Sequence, residues 1–162
     1  AGILGNHVVG PVFIPGNLTG QLYLDMLRET VEPLVQEIVA GDISLNAERI
    51  FFMQEGCAVH NANIVRQYLH LRYPGQWIGN GGPIHWPPRS PDLTPLDYFL
   101  WPYLKEKVFK EKPTSLDNLR EKIIQECNLI EAHVFENVRR EFISRLYYCQ
   151  EVAGAQFEPI YC

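Results

Sequence analysis

No stretch of the 162 residues approaches eighteen uninterrupted apolar side chains, so no membrane-crossing helix is expected. The N-terminus lacks a basic segment leading into an apolar run and a small-residue cleavage site, so no secretory signal is expected. The first residue is Ala1 rather than Met: either the chain is processed or an upstream part is missing. Cysteine is scarce. Cys57, Cys127, Cys149 and Cys162 include no Cys-x-x-Cys pair and no zinc spacing with His. They read as buried or idle thiols of an intracellular protein. Positive charge is also short: 14 Lys and Arg against 19 Asp and Glu leave a net charge of −5. That is the wrong sign for a protein whose whole surface embraces DNA, although a local basic face is compatible with the average. Repeats and low-complexity tracts are absent.

What is present suits one α/β domain. Hydrophobic residues make up 46% of the chain, an ordinary globular share. Gly2 to Ile14 is rich in Val, Ile and Leu and is interrupted by Gly5-Asn6, which predicts a hairpin. Gly10-Pro11 then predicts a bulge or an edge position. Leu22, Leu24, Leu27, Val31, Leu34 and Val35 predict a helix, which Pro33 should bend or split. Arg49 to Met53 reads as a central strand covered on both faces. Asn61 to Tyr73 reads as a helix ended by Pro74-Gly75, and Trp77-Ile78 as a very short strand. Gly79 to Pro95 is a Gly- and Pro-rich loop too long to be filler. Helices are expected at about Leu96 to Phe109, at about Leu116 to Cys127 with Thr114-x-x-Asp117 as an acidic capping box, and at Glu131 to Val152 ending at Gly154.

Two places attract chemical attention. Gln54-Glu55-Gly56-Cys57-Ala58-Val59-His60 follows the buried strand, and open α/β sheets form sites at the carboxyl ends of strands. In the second, Asp92 and Asp97 flank a turn that leads into a helix. Each has a plain alternative. A Glu after a strand is commonly just solvated. An Asp in a first helical turn gains about 0.3–1 kcal/mol from the helix dipole without any catalytic role. Asp92 after Pro91 is a routine turn residue. His60 before Asn61 can simply help start a helix.

The exact strings carry more than the spacing does. Trp77-Ile78-Gly79-x-Gly81-Gly82-Pro83-Ile84-x-Trp86-Pro87-Pro88-Arg89-Ser90-Pro91-Asp92-Leu93-Thr94-Pro95-Leu96-Asp97-Tyr98-Phe99-Leu100-Trp101 resembles a signature block of mariner-like DDE transposases. Gln54-Glu55-Gly56-x-x-x-His60 resembles the other signature, which normally reads Gln-Asp-Gly-Ala-Pro-x-His. The opening Gly2–Phe13, the Gly16–Gly20 segment, Tyr148-Cys149 and Phe157-Glu158 extend the likeness over nearly the whole chain. The resemblance implies a ribonuclease-H-like catalytic core, here incomplete at its N-terminus, with C-terminal helices. It implies a single partial catalytic domain over 1–162, with a hairpin at 1–14, a motif-bearing core at 49–109 and C-terminal helices at 115–153. It also implies three carboxylates holding two Mg²⁺ (or Mn²⁺) ions for phosphodiester exchange. The second carboxylate maps to Glu55 and the third to Asp97, 42 positions later (97 − 55). DNA at transposon ends is the implied partner, with His60, Arg89, Lys105 and Lys107 as candidate nucleic-acid contacts. A homodimer, a nuclear location and no small-molecule cofactor complete the expectation.

Departures from the family pattern predict that this chain is inactive. The first carboxylate and the DNA-binding region lie upstream of the opening hairpin in the family, before this chain starts. Glu55 replaces Asp, Asn80 stands where Arg is usual, Cys57-Ala58 replaces Ala-Pro, and Pro102 replaces Gly at a cost of about 3 kcal/mol inside a helix. Without the strand that bears the first carboxylate, two apolar strand edges lose a partner, which predicts marginal stability or pairing with another chain. Two further readings stand beside this one. One is a non-catalytic nucleic-acid-binding module using Arg89, Lys105, Lys107, Lys110 and Lys112, among which Glu106 and Glu111 interleave. The other is a protein-interaction remnant built on Phe135, Phe142, Tyr147 and Tyr148.

Overall fold

A computed structural model describes residues 1–87 and 90–161. Helices predominate, and the sheet content is small. Two compact units emerge, one formed by Ala1–Pro11 with Ser90–Cys162 and the other by Val12–Arg89. The opening hairpin therefore belongs with the C-terminal helices, and the 49–109 stretch divides at residue 89.

In the Val12–Arg89 unit, α1 (Gly20–Met26) starts at Thr19, whose hydroxyl accepts from the Leu22 N–H. This satisfies one of the donors that a helix start leaves open. Pro33 does not split the helical run. A single wide turn at Leu27–Val31, in which the Glu32 N–H reaches the Leu27 carbonyl, comes just before α2 (Glu32–Gly41), and Pro33 is the second residue of α2. The extra residue in that turn makes room for a ring that would otherwise press on the carbonyl four positions back. α3 (Asn63–Arg72) packs on α1, and Tyr23, Leu24, Leu27, Val65, Leu69, Tyr73 and Trp77 form the core between them. Glu32 is buried and ties α2 to the end of α3. It accepts from the Arg72 Nε at 2.8 Å and the Tyr73 hydroxyl at 3.0 Å.

The expected central strand is much shorter than its apolar run. Only Phe52–Met53 forms β3, which pairs in parallel with β4 (Trp77–Ile78). Asn46 caps a tight turn at Ala47–Arg49 that holds Arg49 out of the ladder. Phe52 packs against Tyr73, whereas Phe51 is 50% exposed, so the run is not covered on both faces. Gly75, at φ +75°, turns the chain from α3 into β4.

In the other unit, β1 (Gly2–Leu4) and β2 (His7–Val9) form the expected antiparallel hairpin around Gly5-Asn6. β2 ends at Val9, so Gly10-Pro11 lies beyond the ladder, joined by a cis peptide bond, and is not a bulge. The Arg139 guanidinium donates to the Gly5 carbonyl and to Asn6 Oδ1, holding the turn. Pro102 does not sit inside a regular helix. A wide turn at Leu96–Leu100 precedes α4 (Trp101–Phe109), and Pro102 is the second residue of α4, the arrangement seen at Pro33. α5 (Leu116–Asn128) is capped by Ser115 rather than by the Thr114-x-x-Asp117 box. The Ser115 hydroxyl accepts from the Asn118 N–H, and Asn118 Oδ1 accepts from the Thr114 N–H. α6 (Ala132–Glu151) closes with the Gly154 N–H on the Cys149 carbonyl, with Gly154 at φ +83°. A short α7 (Glu158–Tyr161) follows, which periodicity did not foretell. Leu100, Leu104, Cys127, Ile130 and Phe135 make this unit's core, with Ile3 and Val8 of the hairpin packed against it.

Two leucines of α3 should separate burial from composition. Leu69 has no exposed surface, and Leu71 is 84% exposed. Leu69→Ala is expected to cost about 2–5 kcal/mol, and Leu71→Ala to stay within about 0.5 kcal/mol. Urea unfolding of the two variants checks this, and equal losses would place α3 differently.

Candidate functional site

The first candidate segment begins where β3 ends. The Gln54 N–H donates to the Ile78 carbonyl at 3.0 Å, continuing the ladder one step. Its side chain is almost wholly buried. The Tyr23 hydroxyl donates to Gln54 Oε1 at 3.2 Å, and Gln54 Nε2 donates to the His60 carbonyl at 3.0 Å. Asn61 Nδ2 closes the same turn onto the Gly56 carbonyl at 3.0 Å. Glu55 is half-buried between these anchors, and its backbone carbonyl faces His60 Nδ1 at 3.3 Å. Cys57 and Ala58, at the positions where the family pattern has Ala-Pro, are exposed, so Cys57 is not a buried thiol.

His60 has an internal task. Its ring stacks on Tyr23 with centroids 4.3 Å apart. Burial holds the imidazole below its ordinary pKa, with the Glu55 carbonyl opposing in part. Burial also pushes the Tyr23 phenol well above its ordinary range, so it stays a donor to Gln54. Sequence reasoning missed Tyr23 and Gln54 as partners because they lie 31 positions apart.

The glycine-rich loop after β4 is folded back on the sheet. Gly79 bonds to the Ile84 carbonyl, and Ile84 bridges Ile78 in parallel. A Cβ at Gly82 would lie 2.9 Å from the Trp77 ring, so only glycine lets the loop cover that buried side chain. Arg89 lies outside the described residues, as does Pro88 of the same motif.

The second candidate segment resumes at Ser90. A tight turn at Pro91–Leu93 leads to Thr94, which is 2% exposed and whose hydroxyl donates to the Ser90 carbonyl. The Thr94 carbonyl accepts from the Asp97 N–H at 2.8 Å and the Tyr98 N–H at 3.1 Å. Asp97 is thereby fixed, half-buried, in the first turn of the Leu96–Leu100 run. Tyr98 donates its hydroxyl to the Val138 carbonyl on α6 at 3.1 Å, and burial pushes its phenol up to about 12. Lys105 and Lys107 are exposed on α4, as are Lys110 and Lys112 beyond it, and the Lys107 ammonium stands 5.7 Å from the centre of the Tyr103 ring.

Glu55 and Asp97 belong to different units. Among the described residues, no group of three or more His, Cys, Asp or Glu side chains is placed to hold a metal ion. The described side chains therefore do not by themselves fit a two-metal centre. Among the described residues, no helix is long and apolar enough to cross a membrane.

No family profile and no curated protein matches the sequence. Among solved structures, the chain is similar to the catalytic domain of Mos1 transposase, determined with raltegravir and manganese. The TM-score is 0.71 at 17% identity, over 88% of this chain and 67% of that one. At this identity the likeness establishes the fold, which is that of a transposase catalytic domain.

The His60 environment makes a pH prediction. A histidine whose folded pKa is depressed binds fewer protons folded than unfolded, so stability is full above the unfolded value of about 6.5 and falls as pH drops below it. The melting temperature of the chain is expected to fall more steeply between pH 7.5 and 5.5 than that of His60→Gln. Parallel curves for the two proteins would refute the buried, neutral imidazole.

Proposed function

We propose that this chain is part of a mariner-like DDE transposase catalytic domain with a ribonuclease-H-like core, of the class that cleaves and joins DNA with divalent metal. The observation that supports it best is the placement of the two motif acids within a transposase-like fold. Glu55 stands at the carboxyl end of a parallel strand, where sheets of this kind carry their sites. Asp97 opens the helical run that follows the Pro-rich block. Glu55 and Asp97 are the second and third carboxylates of the set. DNA is the partner, with Lys105 and Lys107 as exposed phosphate contacts, and the nucleus is the place of action. Self-association as a homodimer accompanies this reading.

Within this reading Glu55 and Asp97 are two of three carboxylates, and catalysis needs the third. A side chain one methylene longer than Asp at position 55 works against catalysis, since such sites tolerate about 0.5 Å of displacement. Glu55 and Asp97, completed by a further carboxylate, would be the residues to hold divalent metal, which would supply Lewis-acid chemistry for phosphodiester exchange. The contribution visible here belongs to the protein: Gln54, Tyr23 and Asn61 fix the turn that carries Glu55, and Thr94 fixes the backbone of Asp97.

Nicking of supercoiled DNA in Mn²⁺ tests the reading. The chain alone is expected to show no metal-dependent nicking. A chain extended at its N-terminus by a strand ending in Asp is expected to nick, about a hundredfold faster as Glu55→Asp than with Glu55, by analogy with other misplacements of about 1 Å. Asp97→Asn should abolish both rates. Brisk nicking by the unextended chain would contradict the incomplete site. Inactivity of the extended Glu55→Asp chain, with no Mn²⁺ binding by calorimetry, would remove Glu55 and Asp97 from the metal site.

A further inference from the structure

Asn80 stands apart from the other side-chain amides. Of the nine asparagines in the chain, it alone precedes a glycine. Asn6, Asn46, Asn61, Asn63, Asn118 and Asn137 each commit a side-chain atom to a hydrogen bond. Asn80 is exposed, and among the described residues its amide bonds to nothing. With Gly81 it forms the middle of the turn after β4, closed by the Gly82 N–H on the Gly79 carbonyl at 3.1 Å. Gly81 sits at φ +82°, which glycine adopts without strain. Its own N–H, unlike those of Gly79 and Gly82, meets no acceptor among the described residues. The fold therefore ties down neither the Asn80 amide nor the nitrogen beside it.

One charge stands against this turn. Arg66 projects from α3, with Cδ 2.9 Å and Nη1 3.0 Å from where a Gly81 Cβ would lie. It donates to Asn63 Oδ1, and among the described residues no carboxylate meets it. A half-buried cation at this place favours negative charge that develops on the turn.

We propose that Asn80 is a self-modification site, at which the chain turns its own amide into a carboxylate with the assistance of the Arg66 charge. The Gly81 backbone nitrogen, giving its proton to solvent, bonds to Asn80 Cγ. The Cγ–Nδ2 bond then breaks, and the nitrogen takes up a proton and leaves as ammonia. The five-membered imide that remains adds one water. Opening at Cγ gives aspartate, and opening at the backbone carbonyl carbon gives isoaspartate. With no side chain at position 81, nothing crowds the attacking nitrogen. The product carboxylate is ionised at neutral pH, so a neutral turn becomes negative beside Arg66. The isoaspartate form also lengthens the backbone between Gly79 and Gly82, the pair whose hydrogen bond closes the turn over Trp77. The proposal is independent of any role for Glu55 and Asp97.

Incubation of the 162-residue chain at pH 8 and 37 °C, followed by peptide mass mapping, tests it. Aspartate and isoaspartate are both expected at position 80. They should form several-fold faster than at Asn17, an exposed asparagine that precedes Leu18. In Arg66→Gln the rate at Asn80 should fall about threefold, the scale of one partly exposed charge, with Asn17 unmoved. An Asn80 that persists in the folded chain while a free peptide of residues 76–86 converts overturns the proposal, because the fold would then protect the amide. An equal rate in a folded Arg66→Gln overturns the assistance given to Arg66. If that variant does not fold, the parent chain is compared in low and high salt, which screens the charge. The rate at Asn80 should then fall in the chain and not in the peptide, and equal responses overturn the assistance.

Discussion

The parallel ladder of β3 and β4 is too short to hold itself. Its backbone bonds, Phe52 to Gln76 and Gln54 to Ile78, contribute about 0.5–1.5 kcal/mol each in net terms. The Trp77 side chain supplies what the ladder lacks. It has no exposed surface, and it packs with Tyr23 and Leu24 of α1, Leu27 of the turn after it, and Val65 and Leu69 of α3. Full burial of a side chain of this size outweighs two net hydrogen bonds. The loop after β4 folds over the same ring, with glycine where any Cβ would collide. The turn carrying Glu55 inherits its position from this anchor, because Gln54 is both the last residue bonded to β4 and the side chain that closes the turn.

The two motif acids share a device. Each stands beside a segment fastened by a buried polar side chain. For Glu55 the fastener is Gln54, held by Tyr23; for Asp97 it is Arg145, with Thr94 closing the backbone. Buried polar groups are costly unless bonded, and these are bonded at several points, so they convert burial into a fixed direction. Gln54 spends its amide on Tyr23 and a carbonyl, and Arg145 meets Glu141, Glu158 and a carbonyl.

The two prolines within helical runs show how a local rule is satisfied without breaking the element. Pro33 and Pro102 each follow a turn one residue wider than an α-turn and occupy the second position of the next regular stretch. The wide turn before each proline relieves the clash its ring would make with the carbonyl four positions back. The wide turn at Leu96–Leu100 is also the turn that carries Asp97, so the accommodation of Pro102 helps set the geometry there.

Much of the local structure follows from sequence alone. The Gly5-Asn6 hairpin, the Pro74-Gly75 stop, the two-residue strand at Trp77 and the Gly154 helix end rest on rules that span a few residues and need no distant partner. The two motif strings were legible through their resemblance to a family pattern and not through such rules. The extent of β3, the cap at Ser115, the wide turns before the prolines, and the union of the opening hairpin with the C-terminal helices were decided only in three dimensions. So were the Tyr23–Gln54 contact across 31 positions and the Arg145–Asp92 contact across 53. The apolar run at Ile50–Met53 states that residues prefer burial but not how many find a partner strand. An arginine in an aromatic-rich helix states a charge but not which carbonyl it will meet. Periodicity records the preference of each residue for water or for oil; pairing, burial and long-range hydrogen bonds depend on which surfaces meet, and that is a property of the packed chain.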